Sequence, residues 1–260
     1  MRHFTRYSRA VSGNGLGLPM HRSDNAIGIR EETGLHVRSA GKQFYDPDDG
    51  SLMGAWLMDE GTGLFVRDHS IYENHGLTVN DPTWVPDGVD LETDLDQRIY
   101  LGISDIFRGG FNPTFTLFFW FKPEVINITQ ILFHTGDLSS NGTGIYLTNA
   151  GKTVFYGTSG ELTGDIIHIA DVWSLIAVTT DGTSRKININ GVPDKQDTLG
   201  ANTLDLDYGT WIGSRSTLTT ADGIMNSFFI YNKVFSDLEL ADIYAAGMYR
   251  RTETMKVTNV

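Results

Sequence analysis

The sequence predicts an all-β fold: an antiparallel two-sheet sandwich with an extended N-terminal arm and a short C-terminal helix. Three observations carry this prediction. Between Trp173 and Asp194, two β-rich runs flank the turn residues Asp181-Gly182-Thr183-Ser184, and Asn190-Gly191 supplies the positive-φ positions of a second tight turn. Ile187 and Ile189 alternate with Lys186, Asn188 and Asn190, which gives that strand one buried and one wet face. Further β runs recur at sandwich spacing, and after Ser236 the pattern changes to a helical period.

Taken in order, residues 1–49 form a leader without sustained helical or strand periodicity. Gly13, Gly15, Gly17 and Pro19 make it extended or turning, and Asp46-Pro47-Asp48-Asp49-Gly50 punctuates the entry to a body spanning 50–250. The body opens with Leu52–Leu77, which carries Trp56, Asp59, Glu60, Gly61, Gly63, Asp68, Ser70, Asn74 and Gly76. Ile99–Ile103 reads as a short strand and Phe115–Pro123 as a long one. The runs ILFHTGD, GIYLTNA and TVFYGTSG then read as strands, followed by the Trp173–Asp194 hairpin, YGTWIGSRS, and a terminal strand within GIMNSFFIYN. Ser236 and Glu239 form a capping box, and Leu238, Leu240, Ile243 and Tyr244 follow at helical spacing. Residues 251–260 read as a C-terminal tail.

With 260 residues the chain can bury a substantial core without staples, and its lack of cysteine excludes disulfides, thiolate metal sites and thiol nucleophiles. No apolar run is long enough for a membrane span, and the basic start lacks a signal-peptide core. The expectation is a soluble protein with no membrane partner. The net charge of −12 is unevenly divided: residues 1–43 sum to +4 and the remainder to −16. A basic arm, with Arg2, Arg6 and Arg9 at its tip, can bind nucleic acid, grip an acidic protein surface or remain a solvated tail, whereas the negative field of the acidic body opposes adsorption to polyanions such as nucleic acid.

Two strands are apolar on both faces. Phe118 and Trp120 face opposite to Phe115, Leu117, Phe119 and Phe121, and Phe229 stands between Phe228 and Ile230. Leaving such residues wet would cost solubility and stability. Either the closing helix or a loop covers Phe118 and Phe229, or they contact another subunit or the arm.

In Leu52–Leu77, in FTLFFWFKP and in the closing helix, the chain from Leu52 to Gly247 resembles the laminin-G-like, concanavalin-A-like family. The resemblance implies a jelly roll and a structural Ca²⁺ near Asp68. The family's partner acid corresponds to Asn226 here, which weakens that site. An Asx turn at Asp68 is the alternative. The resemblance further suggests a non-catalytic surface component of a large assembly, such as a head decoration or fibre of a phage virion. Such a component would be tethered by its arm to capsid or tail subunits and to copies of itself. The alternative is a carbohydrate-binding lectin.

For a glycan ligand, Tyr146, Tyr156 and Tyr208 are the candidate platforms, though each also suits a partly buried strand position. A glycoside hydrolase would need a carboxylate pair. Glu92, Asp94 and Asp96 alternate as on a strand, but Gln97 stands where a further Glu would be required, and an acidic surface turn explains the segment better. Gly151-Lys152-Thr153 lacks the upstream glycine of a phosphate loop, and the seven histidines show no zinc spacing. No catalytic residue is assigned.

Overall fold

The computed structural model describes residues 45–46, 48–102, 114–136, 142–157, 160–198, 209–214 and 220–257. Arg2, Arg6, Arg9 and Tyr208 lie outside them. Among the described residues, two antiparallel sheets of eight strands face one another. The first runs β14 (Val192–Asp197), β13 (Arg185–Ile189), β12 (Ser174–Asp181), β7 (Thr114–Pro123), β16 (Gly223–Tyr231), β5 (Gly88–Leu91), β4 (Thr83–Val85), with β1 (Leu52–Trp56) also paired to β16. The second runs β11 (Gly160–Ile167), β10 (Lys152–Gly157), β9 (Thr143–Leu147), β8 (Gln130–Thr135), β15 (Thr210–Ile212), β6 (Arg98–Gly102), β3 (Gly76–Val79), β2 (Phe65–Val66). The predicted all-β two-sheet sandwich is therefore the fold.

The β12–β13 hairpin forms as its sequence requires. Thr180 pairs with Arg185 and Ile176 with Ile189, and the Asp181 carboxylate accepts from the Thr183 and Ser184 amides at 2.8 and 2.7 Å. These bonds hold Asp181 well below the usual carboxylate range. Asn190 (φ 56°) and Gly191 (φ 76°) make the next turn. Gly191 is needed twice, since a Cβ there would lie 2.6 Å from the Ala241 backbone of the closing helix.

Alternation divides the apolar residues of the first sheet between two cores. Leu117, Phe119, Phe121, Phe228 and Ile230 point inward and meet Phe133, Ile145 and Phe155 of the second sheet. Phe118, Trp120, Leu175, Ala177, Phe229 and Tyr231 point outward into a second buried layer with Tyr45, Phe235, Leu240 and Ile243. This corrects the reading of Phe118 and Phe229 as assembly contacts, because they are only 1% and 0% exposed. The cover is supplied locally. Tyr45 lies 5.4 Å from Phe229, and helix α1 (Asp237–Val257) starts at the expected capping box, where the Ser236 amide donates to Glu239 Oε2 at 2.6 Å. Tyr244 of the helix stacks on Trp120 at 5.6 Å. Each buried Phe stabilises the layer by roughly 1.5–3 kcal/mol, which is reason enough for the helix to lie here. The helix continues into the stretch read as a tail from residue 251.

Candidate functional site

One outer face of the sandwich is closed by α1; the outer face of the second sheet carries rings. Its strands align a single row of directly opposed residues. Glu161 of β11 pairs with Tyr156 of β10, Tyr156 with Gly144 of β9, and Gly144 with His134 of β8. His134 pairs with Trp211 of β15, Trp211 with Tyr100 of β6, Tyr100 with Leu77 of β3, and Leu77 with Phe65 of β2. Opposed residues of antiparallel strands share a face, so these side chains line up across the whole sheet. Their core-facing neighbours, Ile99, Ile145, Phe155 and Ile212, fix which face that is.

Contacts within the row hold the rings. Tyr100 and Trp211 lie 4.2 Å apart between centroids, His134 and Tyr156 stack at 6.0 Å, and Tyr146 meets Tyr156 at 5.7 Å. Gly144 leaves room for the Tyr156 ring, since a Cβ there would fall 2.6 Å from its Cζ. His134 Nε2 is 3.1 Å from the Gly136 carbonyl and Nδ1 is 2.6 Å from the Tyr156 hydroxyl. A carbonyl can only accept, so Nε2–H donates, and in the neutral ring Nδ1 accepts from the tyrosine. Burial, then the nearby Glu161 carboxylate, push the Tyr146 hydroxyl up to about 12, and Tyr146 also hydrogen-bonds Glu161. Arg98 sits 5.2 Å over the Trp211 ring and is held by Asp96 at 2.5 Å. Tyr100, Tyr146, Tyr156 and Trp211 are half-buried on this outer face.

Of the predicted tyrosines, the structure brings Tyr146 and Tyr156 together and leaves Tyr208 outside the described residues. His134, Trp211 and Tyr100 were missed. Their alternation with core residues in ILFHTGD, TWI and RIYLG is the signal that could have found them.

Asp68 is buried, and its carboxylate is fully used. It accepts from the Ala55, Ser70 and Asn74 amides, each at 2.9 Å, and from the Ser70 hydroxyl at 2.8 Å. The Ser70 amide bond is the Asx turn given as the alternative. Four donors occupy the oxygens that Ca²⁺ would need, and Asn226 accepts from the neighbouring Ser227 hydroxyl. The residues present do not fit Ca²⁺ at this position.

Glu92, Asp94 and Asp96 lie in the turn between β5 and β6, as the surface-turn reading expects, and Asp96 has φ 55°. Glu92 nevertheless joins Asp90 and Glu124, with carboxylate oxygens all within 4.8 Å of one another. Burial, then mutual repulsion with Asp222 nearby, raises Glu92 and Glu124. Burial likewise raises Asp90, against the lowering pull of Lys122. Val89 and Leu91 point into the core, so Asp90 faces the outside of the first sheet. The acidic group and the aromatic row are therefore on opposite sides of the sandwich.

Comparison with known structures gives the same architecture. Domain 4 of AbnA, a GH43 extracellular arabinanase from Geobacillus stearothermophilus solved with arabinotriose, is similar with a TM-score of 0.57 and 15% identity over 75% of this chain and 98% of that one. Trypanosoma rangeli sialidase is similar with a TM-score of 0.61 and 15% identity over 78% of this chain, which spans only 34% of the sialidase. The botulinum neurotoxin serotype C1 binding domain gives 0.59 and 15% identity over 76% of this chain and 52% of that one. At such identities the likeness is one of fold. A search of curated proteins returns no match. Residues 98–241, more than half of the chain, match the model of the concanavalin A-like lectin/glucanases superfamily, and the chain belongs to that superfamily.

Proposed function

We propose that this chain is a non-catalytic carbohydrate-binding module whose ligand lies on the ring row of the second sheet. The observation that carries the reading is the in-register row in which the half-buried rings of Tyr156, Trp211 and Tyr100 stand on either side of the buried His134 and of Gly144, on the face opposite the closing helix. Aromatic faces pack against the C–H faces of sugar rings, while the tyrosine hydroxyls and the Glu161 carboxylate offer hydrogen bonds to sugar hydroxyls. The arabinotriose bound to the similarly folded AbnA domain supports the reading. The carboxylate group of Asp90, Glu92 and Glu124 stands on the other side of the fold from the row, while the Glu161 carboxylate lies on the row itself.

The test is a glycan array followed by calorimetry on the best ligand. Trp211→Ala and Tyr156→Ala should each weaken binding by about 2 kcal/mol, close to 30-fold, as for a central aromatic contact, with an unchanged melting temperature as the control for folding. Unaltered affinity in both folded variants would refute the site.

A second reading, a surface component tethered to a larger assembly such as a phage virion, is favoured by the charge division between residues 1–43 at +4 and residues 44–260 at −16. Its apolar support is gone, since Phe118 and Phe229 belong to an internal layer. Deleting residues 1–43 and measuring incorporation into the particle tests it; normal incorporation would end that reading.

A further inference from the structure

Resting on the carbohydrate reading, we infer that the ligand is an internal stretch of a neutral, unbranched polysaccharide running across the strands, bound along several sugar units and not at a chain end. Direction comes from the register: the row is perpendicular to the strands, with Tyr156 toward one end, Trp211 and Tyr100 toward the other, and Gly144 and the buried His134 between them. Four strand spacings separate Tyr156 from Tyr100, about 19 Å at the usual interstrand distance. A strand spacing is close to the length of one sugar ring in an extended chain, so the platform suits about four or more units.

Both ends of the row lead outward. Glu161 is exposed at one end, and Leu77 and Phe65 are 43% and 64% exposed at the other. A pocket for a terminal sugar needs walls that enclose it, whereas among the described residues this row continues to both sheet edges. Charge selects against acidic sugars. Residues 44–260 carry −16, Glu161 lies on the face itself, and Arg98 is already committed to Asp96, so a uronic, sialic or sulfated chain meets a field of its own sign.

Calorimetry on the full chain with linear arabino-, xylo- and gluco-oligosaccharides, from monosaccharide to octasaccharide, separates the outcomes. Affinity should rise at least about tenfold between disaccharide and tetrasaccharide and then level off. Tyr156→Ala and Tyr100→Ala should each weaken the hexasaccharide by at least about fivefold. Affinity already complete at the monosaccharide, or loss confined to one of the two variants, would overturn the extended-chain inference while leaving sugar binding intact. Tighter binding of a sulfated or uronic chain than of its neutral counterpart would overturn the charge selection. No binding to any glycan, or a stable dimer in solution that buries Trp211 against a second copy, would overturn both this inference and the reading on which it rests.

Discussion

Replacing Gly247 with alanine should destabilise the protein, although the same change in an ordinary exposed helix position stabilises. Alanine is favoured over glycine by about 1 kcal/mol in a helix interior. Here the added Cβ would stand 2.3, 2.7 and 2.9 Å from Cζ2, Cε2 and Nε1 of Trp120. Trp120 is fully buried in the outer core layer with Leu175 and Tyr231, so its indole cannot swing away. Overpacking of this kind costs about 1–3 kcal/mol. Set against the propensity gain, the net loss is up to about 2 kcal/mol, a fall in melting temperature of several degrees for a domain of this size. Scanning calorimetry reads this directly. In a Trp120→Leu background the clash is absent, and Gly247→Ala should then be neutral or stabilising, so a double-mutant cycle isolates the contact. A higher melting temperature for Gly247→Ala in the otherwise unchanged protein would refute the packing of the helix on Trp120.

Three further outcomes follow from the buried polar groups. His168 bridges Thr153 and Ser174 at 2.8 and 3.0 Å, and burial pushes it down to about 4. The unfolded chain takes up that proton near 6.5, so stability held above that pH should be lost as pH falls toward 4, by up to about 3 kcal/mol. Comparing His168→Gln with the unchanged protein across pH 4 to 7 by urea unfolding should show their difference shrinking with acid. A constant difference would contradict it. The raised carboxylates act in the opposite sense, because protonation relieves first the burial of their charge and then their mutual repulsion. Asp222→Asn should therefore stabilise at neutral pH by under about 1 kcal/mol, with the gain vanishing in acid; a loss of stability at neutral pH would contradict the raised Asp222. Asp68→Ala should cost at least about 3 kcal/mol by orphaning buried donors, while a Ca²⁺ chelator should leave the melting temperature unchanged. A chelator-induced drop would show that the ion is held.

What was legible in the sequence was local. The Asp181–Ser184 turn, the Asn190-Gly191 turn and the Ser236–Glu239 cap each sit within a few residues, and side-chain bonds to the adjacent backbone decide them. Tyr146 and Tyr156 were within reach for the same reason, because β9 and β10 are consecutive strands. Trp211, His134 and Tyr100 come from three separate stretches and become neighbours only when β15 inserts between β8 and β6, a pairing that no local pattern encodes. The two-sided apolar strands were visible, but which of the possible covers closes over them was not: Phe118 and Phe229 are met by the closing helix and by Tyr45 at the end of the leader, from opposite ends of the sequence. Asp68 was legible as a loop acid. Its four donors, however, include Ala55 on the partner strand, which turns a candidate ligand into a saturated structural group.

The most direct test of the account is the crystal structure of the chain with the tightest neutral oligosaccharide. The account predicts sugar rings lying over Tyr156, Trp211 and Tyr100 with the chain crossing the strands. A ligand seated instead beside Asp90 and Glu124, or among the loops with those three rings untouched, would contradict it.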